Sequence, residues 1–169
     1  MVTPTAVAAG PVTLRPWRPD EATLYIDLRD ESVFTFTTEA RDLGSAQCRN
    51  NIAAAHTDPF HAPFAICDTH DRPVGNLAVV KRGSRAVVSY WLAQEVRGRG
   101  WASEAVRAAT PWAFDTWDVS ELEMEIDATN VASVRVAEAA GYLRHGTRLE
   151  SACGGEALVY RLGRTAPLS

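Results

Sequence analysis

The chain has 169 residues, 46% hydrophobic and 22% charged, which suits one buried core, and no second domain is expected. Its net charge of -4 argues against nucleic acid as a partner, because a binder of phosphate backbones needs an excess of Lys and Arg. Cys48, Cys67 and Cys153 are odd in number and widely spaced, with no C-x-x-C pair, so neither a disulfide framework nor a zinc site is expected and the thiols read as cytoplasmic. No apolar run approaches the roughly 20 residues that cross a bilayer, so no membrane partner is expected. The expected state is a monomer or a homodimer.

Residues 1–11 are small and apolar and read as a flexible leader; the domain spans 12–163 and a tail 164–169 follows. Residues 12–17 alternate apolar and polar as a strand does, and Pro19-Asp20-Glu21 opens a helix running to about Arg29. A second helix covers 45–56. Three strands at 64–67, 74–81 and 87–93, joined by turns at Asp71-Arg72-Pro73 and near Gly83, make an antiparallel meander. From Gly100 the period becomes 3.6, with Ala102, Ala105, Val106, Ala109, Ala113, Phe114 and Trp117 on one stripe. Pro111 lies inside it and removes one backbone hydrogen bond, so a kink or an earlier end is expected. Leu122, Met124 and Ile126 then alternate with Glu121, Glu123, Glu125 and Asp127 as a strand, a helix opens at Asn130 and closes at Gly141, and 142–149 and 156–162 are two final strands. The order predicts an α+β domain around one mixed, mostly antiparallel sheet with about four flanking helices.

The most informative stretch is Arg97-Gly98-Arg99-Gly100-Trp101-Ala102, between a strand and a helix N-terminus. Two glycines let successive N–H groups point into one concavity, and the helix dipole adds positive potential there, which is how backbone binds phosphate. Arg97 and Arg99 would add charge-assisted hydrogen bonds to a pyrophosphate. The plain alternative is a solvated turn with incidental arginines. A P-loop would need a Gly-Lys-Ser/Thr end, which is missing, and a dinucleotide fingerprint would need a third glycine where Ser103 stands.

Arg97-x-x-Gly100-x-Ala102, with Tyr90-Trp91-Leu92 before it and Ala102-Ser103-Glu104-Ala105 after it, resembles the Arg/Gln-x-x-Gly-x-Gly/Ala motif of the GNAT acetyltransferases, between their fourth strand and third helix. A second block, Asn130-Val131-Ala132-Ser133 followed by a helix ending in Gly141-Tyr142, matches as well. The flanks are similar to the branch of Rim-type ribosomal-protein N-terminal acetyltransferases. The resemblance implies splayed fourth and fifth strands with the pantetheine arm of acetyl-CoA between them, and no metal. Backbone N–H groups at Trp91, Leu92 and Ala93 would polarise the thioester. Those of Arg97, Gly98, Arg99, Gly100, Trp101 and Ala102 would hold the pyrophosphate, Asn130 would reach the pantetheine, and Arg135 the 3'-phosphate. Asn130 is also among the best helix N-caps, with Ser133 in the first turn, and Arg135 reads more readily as a solvated helix-surface residue.

Direct attack by an amine needs a neutral nucleophile and a proton for the departing thiolate. Many GNAT enzymes supply it from a tyrosine seven positions after the Asn; that position is Ala137 here, so Ser133, or a water, is expected to take the role. Glu125, five residues before Asn130, matches a strand glutamate of a Rim-type enzyme and is the candidate base, although a row of four acids on one strand face is also simply a solvated face. At neutral pH an α-amine costs only about 1 kcal/mol to deprotonate and a lysine amine about 4–5 kcal/mol, so weak base machinery favours the former.

In this fold the acceptor groove is walled by the first two helices and their loop, here about 20–42, which carries seven acids against Arg29 and Arg41 and would attract a cationic amine. The expected activity is acetyl transfer from acetyl-CoA to a primary amine, either a peptide or protein N-terminal α-amine or a small-molecule amine. Two alternatives stand beside it: a non-catalytic CoA-binding regulatory domain, suggested by Ala137, and an acyltransferase using another donor such as succinyl-CoA. His56, His61, His70 and His145 show no metal-ligand spacing.

Overall fold

Strand pairing begins earlier than the sequence pattern suggests. In the computed structural model, which describes residues 6–150 and 154–164, β1 (Val7–Ala9) turns at Gly10, φ +59°, and pairs antiparallel with β2 (Val12–Pro16). This corrects the leader expectation for residues 7–9: three residues are too few to display alternation, but edge pairing and burial of Ala9 hold them in place. Residues 1–5, 151–153 and 165–169, with Cys153, lie outside the described residues.

A 3-10 turn at Pro19–Glu21 leads into α1 (Ala22–Asp27). A short helix absent from the sequence reading follows, α2 (Glu31–Phe36), capped by Asp30, whose Oδ1 accepts the Val33 N–H at 3.2 Å. Then come α3 (Ser45–Ala55), β3 (His61–Cys67), β4 (Pro73–Arg82) and β5 (Arg85–Leu92). Next, α4 (Trp101–Thr116) runs through Pro111 without the expected earlier end. Pro111 and Arg107 both lie on its exposed side, where water can satisfy the carbonyl that lost its donor. The chain closes with β6 (Glu121–Asp127), α5 (Val131–Ala139), β7 (Leu143–Arg148) and β8 (Ala157–Gly163). Arg164, assigned to the tail, donates to the carbonyls of Phe114, Trp117 and Val119 and so is tied to the domain.

The eight strands lie in the order β1-β2-β3-β4-β5-β6-β8-β7, and among the described residues β5 against β6 is the parallel pair. Helices α4 and α5 cover one face, α1 and α3 the other. Small buried residues of α4 (Ala102, Ala105, Ala109, Ala113) let it sit close to the sheet, over Leu14, Phe64, Leu77 and Leu122. Each such large side chain contributes roughly 1.5–3 kcal/mol by burial.

The feature that matters for function is where pairing stops. β5 and β6 pair at Arg85↔Glu121, Ala86↔Leu122 and Val87↔Glu123 and no further. Beyond that point β5 continues on β4 as far as Gly75↔Leu92, and β6 continues on β8 as far as Asp127↔Ala157. Each strand is held by its outer neighbour while a cleft opens between them. Gly75 permits this at the β4 side: a Cβ there would lie 2.4 Å from the Trp91 carbonyl oxygen.

Candidate active site

The cleft ends at the glycine-arginine loop. Gly98 and Gly100 adopt φ +77° and +78°, which favours glycine, and Gly100 is the N-cap of α4. The first bond of the helix is Glu104 N–H to Gly100 O, so the N–H groups of Trp101, Ala102 and Ser103 have no acceptor within it. Gly98, Gly100, Trp101 and Ala102 line a cavity of about 560 Å³ together with Trp91, Leu92, Asn130, Ser133 and Arg135. Arg135 makes no hydrogen bond or ion pair among the described residues, and its charge borders this cavity.

Two of the expected contacts need correction. The Ala93 N–H donates to Val74 O at 2.8 Å, and ladder alternation therefore turns Trp91 toward β4 as well and leaves Leu92, with Tyr90, facing the cleft. Of the three N–H groups expected at the thioester, the one so placed is Leu92. Arg97 stands at the cavity rim, but its guanidinium binds Asp30 through both Nη atoms at 2.8 and 2.9 Å and the Leu92 carbonyl through Nε and Nη2 at 2.9 and 2.7 Å. Four of its five donors are thus engaged, and the side chain braces the site instead of reaching a phosphate. The hydrogen bonds from Arg97 hold the Asp30 carboxyl at about 2, below its ordinary value. Arg99 lies over the Trp101 ring at 5.3 Å and donates to Glu95 O, outside the cavity wall.

A second cavity, about 650 Å³, opens on the α2 side of the cleft and is lined by Glu39, Glu123, Glu125, Asp127 and Glu150 with Arg82, Arg85 and Arg148. It shares Phe36, Thr37, Tyr90, Trp91, Asn130 and Ser133 with the first, so the two meet where β5 and β6 are unpaired. Asn130 caps α5 as expected, its Oδ1 accepting the Ser133 N–H at 3.1 Å. Ser133 Oγ lies 2.8 Å from the Tyr90 hydroxyl across the cleft. Burial pushes the Tyr90 phenol above its ordinary value, an effect its bond to Ser133 only partly offsets.

The acidic row on β6 is not a bare solvated face. Glu125 is ion-paired with Arg148, and Glu123, buried, accepts from Arg161 at 2.8 Å and Arg148 at 3.2 Å. Burial would raise the Glu123 carboxyl, but the two guanidiniums outweigh it and keep it below the usual range. The acids of residues 20–42 are mostly paired too: Glu21 with Arg15, Asp30 with Arg97, Glu31 with Arg41, Glu39 with Arg29. Glu39 alone of them lines the second cavity. It accepts from Tyr25 Oη (2.5 Å), Trp91 Nε1 (3.1 Å) and Arg29 (3.2 Å), inside a stack in which the Tyr25 ring lies 4.9 Å from Trp17 and 5.3 Å from Trp91. Glu39, Asp30 and Tyr90 were not singled out from sequence. Alternation alone puts Tyr90 on the same face as Val88, the face that α4 covers, but its pairing with Ser133 arises across 43 residues of chain.

A helix end with N–H groups unbonded within the helix opens onto a cleft in the sheet, and a second cavity meets the first there. Residues 12–143 match the acetyltransferase (GNAT) domain family, and the chain belongs to that family. It is an acetyl-CoA-dependent acetyltransferase, with acetyl-CoA as co-substrate. Among curated proteins it is similar to the uncharacterized N-acetyltransferase p20 of Bacillus licheniformis, 23% identical over 131 residues, 77% of this chain and 71% of that protein. Among solved structures it is similar to Mycobacterium smegmatis RimJ in complex with CoA-disulfide, with a TM-score of 0.83 at 18% identity over 95% of this chain and 88% of that one. It is likewise similar to RimL, a ribosomal L7/L12 alpha-N-protein acetyltransferase solved with coenzyme A, with a TM-score of 0.82 at 14% identity over 94% and 98%. Among the described residues no helix is long and apolar enough to cross a membrane, and no cluster of His, Cys, Asp or Glu is placed to hold a metal ion.

Proposed function

We propose that the protein acetylates a primary amine by direct attack on the thioester, with an N-terminal α-amine of a peptide or protein as the preferred acceptor. The observation that carries this reading is the meeting of two cavities at Tyr90, Trp91, Asn130 and Ser133, one bordered by helix N–H groups and one by carboxylates. The N–H groups of the 98–103 segment hold the pyrophosphate, and Arg135 takes the 3'-phosphate. Asn130, its oxygen engaged in the cap, offers its amide nitrogen to the pantetheine. The Leu92 N–H faces the thioester carbonyl and stabilises the charge that develops on its oxygen. Ser133 supplies the proton to the departing sulfur.

Glu125 is held by Arg148, and we assign it to the acceptor wall instead of the role of base. With the carboxylates at the cleft bound by arginines, an acceptor that is already partly neutral is favoured. An α-amine costs about 1 kcal/mol to deprotonate at pH 7, whereas a lysine costs about 4–5 kcal/mol. Five acids against three arginines on the second cavity favour the approach of an ammonium ion. The buried, free Cys48 and Cys67 fit a cytoplasmic setting; burial pushes the Cys67 thiol up to about 12.

The reading is tested by calorimetric titration with acetyl-CoA, succinyl-CoA and CoA. A thiol-release screen over peptides with a free α-amine, Nα-blocked lysine peptides and amino sugars follows. Turnover is expected with the first class. Binding without thiol release on any amine would establish a non-catalytic CoA-binding domain, and preference for an amino sugar would move the acceptor to small molecules.

A further inference from the structure

The residues shared by the two cavities bring three hydroxyls and no carboxylate; that of Thr37 donates to the Val33 carbonyl within its own helix turn, and those of Tyr90 and Ser133 bond each other. Tyr90 reaches from β5 to Ser133 in the first turn of α5, and neither hydroxyl has a second partner among the described residues. The Tyr90 ring is fixed against the main core and Ser133 is fixed by the Asn130 cap, so the 2.8 Å bond joins two ordered groups. Two hydroxyls in one hydrogen bond carry two protons, of which the bond uses one and leaves the other to be given away. Three of the carboxylates that line the second cavity are committed elsewhere: Glu125 to Arg148, Glu123 to Arg148 and Arg161, Glu39 to Tyr25, Trp91 and Arg29.

Acetyl transfer must move one proton overall. The amine nitrogen forms a bond to the acyl carbon and has to lose a proton; the sulfur leaves with the electron pair of the broken C–S bond and has to gain one. Resting on the acetyl-transfer reading above, we propose that Tyr90 and Ser133 form a proton shuttle from the attacking amine to the departing sulfur. Ser133 Oγ gives its proton to sulfur and takes the Tyr90 proton along their hydrogen bond. Tyr90 Oη takes the proton released by nitrogen. One proton has left nitrogen, one has reached sulfur, and the pair is back in its starting state without any external base. Because burial holds the phenol above its ordinary value, Tyr90 enters each cycle protonated.

The test uses Tyr90→Phe, Ser133→Ala and the double variant of the full chain, with acetyl-CoA and an amine that the wild type accepts. Phenylalanine preserves the packed ring. Each single variant should lose about a hundredfold in kcat. Calorimetric affinity for acetyl-CoA should stay within about twofold, since the interaction acts on the proton and not on binding. The double variant should be no slower than the slower single one, as for groups that act as a unit. Rates in mixtures of light and heavy water should follow a curve for the wild type, with more than one proton in flight, and a straight line for Tyr90→Phe. Should Tyr90→Phe fail to fold, Ser133→Thr, which keeps a hydroxyl, is expected to retain turnover within about tenfold of wild type where Ser133→Ala does not. A Tyr90→Phe enzyme within twofold of wild type, or losses that multiply in the double variant, would overturn the shuttle while leaving acetyl transfer intact. A wild type that binds acetyl-CoA and acetylates no amine would overturn both.

Discussion

Replacing Gly100 by glutamine separates the phosphate cradle from the rest of the fold. Gly100 caps α4 at φ +78°, and a Cβ built there meets nothing within 4 Å, so the new side chain projects into open space and not into the core. The left-handed backbone costs a non-glycine residue roughly 1–2 kcal/mol. For a domain of this size that lowers Tm by roughly 2–8 °C and leaves the protein folded. The cost to the ligand is larger. On the proposed reading the 98–103 N–H groups would bind pyrophosphate only if it approaches the backbone closely, and losing one charge-assisted hydrogen bond of about 1.5–3 kcal/mol would weaken acetyl-CoA by about ten- to a hundredfold. Calorimetry on the folded variant reads this directly, with pantetheine, which lacks the pyrophosphate, as the control ligand. Pantetheine affinity should be unchanged. An unchanged acetyl-CoA affinity, or an equal loss for pantetheine, would refute the assignment of the loop to the pyrophosphate.

Glu39→Gln should destabilise the protein by about 3–5 kcal/mol in chemical denaturation, because it leaves the almost fully buried Arg29 guanidinium without a counter-charge; a loss under 1 kcal/mol would show that the pair is not needed. Gly75→Ala puts a Cβ 2.4 Å from the Trp91 carbonyl and should cost about 1–3 kcal/mol by overpacking, with weaker acetyl-CoA binding as the 91–92 backbone shifts. Asp30→Asn keeps the α2 cap and removes the charge that Arg97 holds. A carboxyl lowered to about 2 contributes stability above its unfolded value and loses it as pH falls. The stability gap between wild type and variant should therefore be full at pH 6, shrink below about pH 4, be mostly lost by pH 2 and vanish below it; a gap undiminished at pH 2 would mean the carboxylate charge is not its source.

The sheet, its meander, and the two helices that bear the motifs were legible because their periods are strong: alternation at 121–127 and a 3.6-residue stripe from Ala102 to Trp117. The two blocks at Arg97 and Asn130 located the cleft for the same reason that they exist, since glycines and an N-cap are backbone requirements written in residue type. Short elements were not legible. β1 has three residues and α2 six, and both owe their formation to neighbours: an edge strand for one, the Asp30 cap and its Arg97 brace for the other. The side-chain roles were the least legible. Nothing local to Glu125 announces Arg148 on β7, and nothing local to Arg97 announces Asp30, 67 residues earlier.

Arg97 stands at the first position of the motif, and its guanidinium is engaged within the protein. Its fork links the start of α2 to the end of β5, and α2 and its C-cap supply Phe36 and Thr37 to both cavities. At the β5 end it binds the Leu92 carbonyl, which points into the cleft on the same side as the Leu92 N–H. An unbound carbonyl there would set a partial negative charge beside the oxygen on which charge develops during transfer. A guanidinium on that carbonyl neutralises it and adds positive potential a few ångströms away, so the N–H dominates the local field. On the proposed reading the same residue would position the acceptor wall and tune the donor end, and both effects would depend on a planar fork that a lysine does not have.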